Sequence, residues 1–418
     1  MGSGARLTAR AAVGILPSPT RIATAAMKNF LAAAVLAASL ASAPALAADP
    51  VKVGVIAPFS GVAADFGRQM QAGMQAFFKL HGDTFGGRRI ELIIRDTGGP
   101  NGDVAKRLAQ ELVTRDKVDF LAGFGFTPEA LAVAPVATEA KKPMVIMNAA
   151  TSIVTEKSPY IVRFSMTLPQ VSAPMATWAA KNGIKNVYTL VTDYAPGIDA
   201  EKQFKATFEA AGGKVVDSVR TPLRNPEFAP YVQRIKDAKP DAVFIFVPAG
   251  EQSVAFMKAF EERGLKEAGI KLIATGDLTD DDVLQAMGEP TLGIISSHHY
   301  SAAHDSPENR AFVKAFREVG NGLDRPNFMA VGGYDGIAAI ADVVKKLGNH
   351  IDPDKAMEIL AHEKMTSPRG PIHIDPATRD IVQTVYIRKV EKRDGQYWNI
   401  EFDKFPDVKD PGKQGAKK

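Results

Sequence analysis

Cysteine is absent from the chain. Disulfides, thiolate metal sites, a cysteine nucleophile and a lipid-acceptor cysteine are thereby excluded. Zero cysteine in 418 residues also suits a protein exported from a bacterial cytoplasm. The signatures of catalysis are missing too. No G-x-G-x-x-G follows the first apolar strand and no phosphate-binding lysine loop occurs, which disfavours nucleotide and dinucleotide cofactors. No G-x-S-x-G elbow appears, and no nucleophile–base pair is visible. The expectation is a protein with no catalytic residue, no cofactor and no metal.

A long hydrophobic run is also lacking. Lys28 precedes an apolar stretch from Phe30 to Leu40, which is too short to span a bilayer. Ala45-Leu46-Ala47 follows. A charged start, an apolar centre and an A-x-A site read as a secretory signal within residues 1–48, cleaved after Ala47 or Ala48, with Met27 as an alternative start. The net charge is +4, and the leader holds four basic residues (Arg6, Arg10, Arg21, Lys28) and no acidic one. Removing it leaves the chain near neutrality, so no nucleic-acid or membrane partner is implied.

What is present is alternation. An apolar strand, Val51 to Ala57, ends at Pro58-Phe59-Ser60-Gly61, and a helix from Phe66 to Leu80 follows. Further strands are expected at 89–96, 187–191, 214–219, 242–246, 272–274, 294–298 and 384–390. Helices are expected at 103–113, 171–181, 198–211, 230–238, 253–263, 281–287, 307–319 and 329–346. Strands alternating with helices imply parallel sheets covered on both faces, and the chain length supports two such lobes. The fold class is α/β, with two doubly wound parallel-sheet lobes joined by a three-segment hinge, whose crossings are expected near 160–164, 299–301 and 375–381. The first lobe is expected to hold 49–166 plus 301–378 and the second 167–300 plus 379–408. Residues 409–418 are expected to be a disordered tail.

The segment from Phe120 to Ser152 reads as strand, loop, helix, strand, loop. Both loops fall at carboxyl ends of strands, where open parallel sheets bind ligands. Thr127 is expected as the helix N-cap, with Pro128 and Glu129 in the first turn. The N–H groups of that turn have no partner inside the helix and suit a carboxylate. Gly123 and Gly125 admit close backbone approach, and Phe124 and Phe126 set rings beside it. His298 and His299 are expected on opposite faces of a strand. Asp280-Asp281-Asp282 reads as a cap and an acidic first turn rather than a metal cluster. Asp277 stands at a strand end, where it can read a ligand group.

These segments together resemble the type I periplasmic solute-binding proteins of the leucine/isoleucine/valine class, the receptors of ABC importers. The resemblance rests on Val53-Gly54-Val55 with Pro58-Phe59-Ser60-Gly61, the loop from Gly123 to Pro128, Pro143-Met144-Val145-Ile146 with Ala149-Ala150-Thr151, Arg163-Phe164, Asp193-Tyr194, Gly276-Asp277 and Gly333-Tyr334-Asp335. It implies two lobes that hinge around a cleft, close on a ligand and deliver it to a membrane permease. It also implies a periplasmic location, and a monomer is the default for a protein that hinges and docks. Carried over position by position, it implies that Ser60, Phe66, Phe126, Thr127, Ala149, Ala150 and Thr151 of the first lobe meet the ligand. From the second lobe it implies Tyr194, Ala249, Gly250 and Asp277.

One departure bears on the ligand. Amino-acid binders of this class place an acidic residue a few positions after the arginine corresponding to Arg163, to meet the ammonium group. Here Leu168 or a near neighbour stands there. A buried ammonium without a counter-charge is costly. Either Asp277 supplies that charge, or the ligand lacks an α-amine. Phe59, Phe66, Phe124, Phe126, Tyr194 and Tyr300 suit a flat aromatic acid, as in the branch of the family that binds benzoate or phenylpyruvate derivatives. A branched-chain amino acid remains open, as do a sensor partnered with a signalling receptor and a two-lobed α/β enzyme.

Overall fold

The computed structural model describes residues 49–413, with residues 1, 8–12 and 14 of the leader. The expected signal motif, Lys28 to Ala47, and residues 414–418 lie outside the described residues.

The first sheet contains β1 (Val51–Ala57), β2 (Thr84–Phe85), β3 (Arg88–Asp96), β4 (Phe120–Gly123), β5 (Met144–Ile146) and β6 (Ile161–Arg163), in the order β2-β3-β1-β4-β5-β6. Its neighbours are parallel apart from β2 and β3. The second contains β7 (Asn186–Thr192), β8 (Lys214–Thr221), β9 (Ala242–Phe246), β10 (Lys271–Thr275), β11 (Ile295–His298), β12 (Lys364–Ser367), β13 (Gly370–Asp375), β14 (Asp380–Arg393) and β15 (Gln396–Val408). Its order is β12-β13-β14-β11-β10-β9-β7-β8, with β15 on β14. The pairs from β8 to β11 are parallel, and β14 joins β11 antiparallel.

Helices cover both sheets: α1 (Ala64–His81), α2 (Gly102–Glu111), α3 (Thr127–Glu139), α4 (Leu168–Lys181), α5 (Ala195–Ala210), α6 (Ala229–Ala238), α7 (Glu251–Glu262), α8 (Leu284–Met287), α9 (Pro307–Val319), α10 (Phe328–Leu347) and α11 (Pro353–Ala361). Val53 and Val55 of β1 pack with α1 and α10 on one face, while Ile56 packs with α2 and α3 on the other. In β9, Phe244 and Phe246 face one core, and Val243 and Ile245 the other. This two-sided burial is why the parallel strands read as unbroken apolar runs.

Sheet order locates the site. In the first sheet the chain reverses direction of travel at β1, between β3 and β4; in the second it does so at β7, between β8 and β9. Crevices open at such points, outside the carboxyl ends of the strands. A Cβ on Gly73 would lie 1.9 Å from Ala330 O, and one on Gly333 2.2 Å from Met70 O. Only glycine lets α1 and α10 cross this closely. That crossing fixes α1 and seats Phe66, in its first turn, at the crevice.

Several expectations need correction. The strands β12 and β13 were expected in the first lobe, within 301–378. They hydrogen-bond into the second sheet through β14, although Ile372 and Ile374 bury their side chains in the core around β1. The expected tail begins ordered: Lys409 pairs with Asp375 at 3.0 Å, and Lys413 pairs with the buried Asp380. The helix expected at 281–287 shrinks to α8, because Asp280 and Asp281 before it are ties rather than a cap and first turn. Asp280 accepts from Asn327 Nδ2 at 3.1 and 3.0 Å, and Asp281 from Asn399 Nδ2 at 3.1 Å. His299 lies just past the end of β11, so the period-two rule fails there. The His298 and His299 rings stack, with centroids 4.4 Å apart.

Candidate functional site

The loops after β4, β5, β7, β9 and β10 converge on a small pocket of about 20 Å³. Space of that order holds about one water. From the first sheet it is lined by Gly125, Phe126 and Thr127 after β4, and by Asn148, Ala149 and Ala150 after β5. Phe66, Met166 and Leu168 complete that wall. The second sheet contributes Tyr194 and Pro196 after β7, Phe246 and Pro248 at the end of β9, and Asp277 after β10. An outer cavity of about 570 Å³ adjoins it and shares Phe66, Phe126 and Pro248. A cavity of about 780 Å³ between α9 and the β14–β15 hairpin lies away from the carboxyl strand ends. The position of the site therefore follows the sheet topology rather than cavity size.

The first wall is built from backbone and short side chains. Phe126, not Thr127, is the N-cap of α3, and Thr127 is the first helical residue. The reason is Glu129, whose carboxyl reaches back to Phe126 N–H at 2.9 Å and also accepts from Thr97 Oγ1 at 2.6 Å. Burial pushes Glu129 up to about 8 despite those bonds. The Thr127 hydroxyl instead donates to Thr151 Oγ1 at 3.2 Å, linking the two first-lobe loops. Asn148 Nδ2 donates to Gly125 O at 2.6 Å, while its Oδ1 is buried without a partner among the described residues.

Arg163 braces this wall from behind. Its fully buried guanidinium pairs with Asp380 at 2.9 Å and donates to Ala149 O at 3.0 Å. Leu168 N–H donates to Ala150 O at 3.0 Å, which sets the Leu168 side chain beside that loop.

The second wall carries the charge. Asp277 is 6% exposed. It accepts from Thr275 Oγ1 at 2.9 Å, and its main-chain carbonyl accepts from Ser253 Oγ at 3.1 Å. Burial pushes its carboxyl up to about 6. Burial, with the Asp277 charge, raises the Tyr194 hydroxyl above its ordinary range. Tyr194 stacks on Phe246 with centroids 6.1 Å apart, and Phe66 on Phe126 at 4.9 Å. Among the described residues no lysine, arginine or histidine lines the pocket.

Seven of the eleven residues expected to meet the ligand line this pocket: Phe66, Phe126, Thr127, Ala149, Ala150, Tyr194 and Asp277. The others do not line it. Ser60 is exposed, with its N–H donating to Asp96 at 3.2 Å. Thr151 lies behind Thr127. Ala249 lines the outer cavity. Gly250, at φ 86°, turns the chain into α7, so Pro248 reaches the pocket instead. Of the aromatic residues, Phe124 turns into the core at φ 69°, and Tyr300 is buried against Asn309. Sequence reasoning missed Asn148, Met166, Pro196, Phe246 and Pro248. An apolar residue at a strand end gives no sign of whether it faces core or crevice. Asn148 carried a signal, since a polar residue directly after an apolar strand marks the carboxyl end.

Known proteins resemble this chain over most of its length. The model of the periplasmic binding protein family matches residues 50–396. The Leu/Ile/Val-binding protein homolog 6 of Brucella melitensis is 46% identical over 388 residues, covering 92% of this chain and 99% of that protein. A solute-binding protein of an ABC transporter from Rhodopseudomonas palustris BisB5, solved in complex with 3,4-dihydroxybenzoic acid, is 55% identical with a TM-score of 0.84. The match covers 87% of this chain and 99% of that one. A second R. palustris solute-binding protein, in complex with 4-hydroxybenzoate, is 48% identical with a TM-score of 0.85, over 87% of this chain and 99% of its own.

Proposed function

The chain belongs to the periplasmic binding protein family, and from that premise we propose that it is the receptor of an ABC importer for a small aromatic carboxylate. One observation carries the reading. The wall that offers the Thr127 and Ala150 N–H groups to a carboxylate is flanked by Met166 and Leu168, where an α-ammonium would need an acid. Phe66, Phe126, Tyr194 and Phe246 supply aromatic faces for a ring. The hydroxybenzoates held by the solved relatives support it.

A benzoate does not fit in about 20 Å³, so binding needs the lobes to part and close again. The hinge would be the three crossings expected near residues 160–164, 299–301 and 375–381. Closure around the ligand is what the permease would read. Export through a cleaved signal places the receptor in the periplasm, as a monomer and without catalytic turnover.

A second reading has its own support. Asp277 and the unpartnered Asn148 Oδ1 are acceptors that an ammonium group could use, and a branched-chain amino acid would then be the ligand. A thermal-shift screen of refolded protein starting at Asp49 separates the two. The panel is leucine, valine, phenylalanine, benzoate, 4-hydroxybenzoate and phenylpyruvate. A ligand at 100 times its Kd adds about 2.7 kcal/mol, a shift of a few degrees. Shifts with aromatic acids alone are expected. A shift with leucine or valine alone rejects the aromatic reading.

A further inference from the structure

We infer that Asp277 is a specificity-determining residue that selects aromatic carboxylates bearing a para-hydroxyl over benzoate, over the ortho-hydroxy isomer and over α-amino acids. The inference rests on the aromatic-carboxylate reading of the pocket and goes beyond it to the substituent.

The two walls differ in what they can accept. No cationic side chain lines the pocket among the described residues, so a ligand carboxylate must rest on N–H groups and hydroxyls. On the first wall the Thr127 and Ala150 N–H groups are available, since Ala149 N–H donates to Phe124 O at 2.9 Å and the Thr127 hydroxyl to Thr151; the one pocket hydroxyl on the second wall, that of Tyr194, stands beside Asp277. A carboxylate at the second wall would face Asp277, buried and acidic, which is repulsive. The ligand is thereby oriented with its carboxylate toward the first wall and its far end toward Asp277.

Asp277 leaves that far end little choice. Its side chain accepts from Thr275 Oγ1 at 2.9 Å and from its own backbone N–H, both local, and no donor reaches it from across the pocket among the described residues. His298 Nε2, at 3.8 Å, is too distant for a hydrogen bond. Arg388 is occupied by Tyr300 O and by Ser296 Oγ at 3.1 Å. A buried carboxylate short of donors is costly to leave so, and a ligand that brings one relieves it. A phenolic O–H at the para position points along the ring axis, away from the carboxylate, and brings that donor. Benzoate brings none. An ortho-hydroxyl stays beside the carboxylate, near Leu168 and Ala150, and so does an α-ammonium.

Calorimetric titration of the refolded protein with 4-hydroxybenzoate, 2-hydroxybenzoate, benzoate and leucine tests this. We expect 4-hydroxybenzoate to bind roughly 100-fold tighter than benzoate, in the range expected when a buried polar group is left unpaired. In Asp277→Asn the ratio should fall to roughly threefold or less, because the amide is a weaker acceptor. Equal wild-type affinities for the two acids would overturn the role of Asp277 while leaving the aromatic-acid reading intact. So would a ratio that survives in Asp277→Asn. Binding of leucine with none of the aromatic acids overturns both. The wild-type ratio needs no variant, so poor folding of Asp277→Asn does not shelter the inference.

Discussion

The two walls of the pocket are built by opposite means. The wall from the first sheet is neutral at its surface and braced from behind. Its ionisable groups, Arg163 with Asp380 and Glu129 at the start of α3, are buried beneath the loops and spent on holding backbone. The wall from the second sheet puts its charge into the pocket, at Asp277, beside Tyr194. A wall made of backbone recognises what every carboxylate shares. A wall made of one side chain recognises what distinguishes one ligand from another. Changes to the first wall should move all affinities together; changes to the second should move their ratios.

The largest effect should come from removing the brace. Arg163→Met leaves Asp380 buried with Lys413 as its remaining cation, and strips donors from Ala149 O and Ser152 O. We expect a loss of about 3 kcal/mol in urea unfolding, with weaker binding of every carboxylate by a common factor. Unchanged affinity would show that the loop does not depend on the brace.

Next comes the stability of the second wall. The Asp277 carboxyl sits at about 6 in the fold against an ordinary 3.8. Between those values the folded chain holds more protons than the unfolded one. Stability therefore falls as pH rises from about 4 through about 6, and stays lower above that. Asp277→Asn should raise the ligand-free protein by about 1–3 kcal/mol at pH 7.5 and not at pH 3.5. Melting curves at the two pH values read this directly. A variant no more stable at pH 7.5 would mean that the ionised group is not strained, and the contrast between the walls would narrow.

Much of the first wall is legible in the sequence. Phe120 to Ser152 reads locally: two apolar strands, a glycine-marked turn, a helix start and a polar stop. The misplaced cap is also local, since Glu129 three residues after Phe126 is the signature of a carboxylate reaching back. The β14–β15 hairpin had a readable signal as well. Asp394-Gly395 takes φ values of 49° and 77°, as a two-residue hairpin turn requires. What was not legible is nonlocal. Phe246 and Pro248 become lining residues only because β9 neighbours β7 in the second sheet. Ile372 and Ile374 belong to one sheet by hydrogen bonds and to the other lobe's core by packing. No window of sequence contains both partners of such a relation.

The smallest effect is also the sharpest test of the division of labour. Thr127→Val keeps the shape of a β-branched residue at the first helical position and removes the hydroxyl that donates to Thr151. Stability should fall by about 1 kcal/mol, the net worth of one buried hydrogen bond. Affinity for benzoate and for 4-hydroxybenzoate should fall together, by roughly threefold to tenfold, with their ratio unchanged. Combined with Asp277→Asn, the two losses should add for 4-hydroxybenzoate, because the residues sit on different walls and share no partner. If Thr127→Val alone changes the ratio, or the double variant departs from additivity by more than about 0.5 kcal/mol, the walls are coupled. Recognition of the carboxylate and of the far substituent would then be a single act of closure.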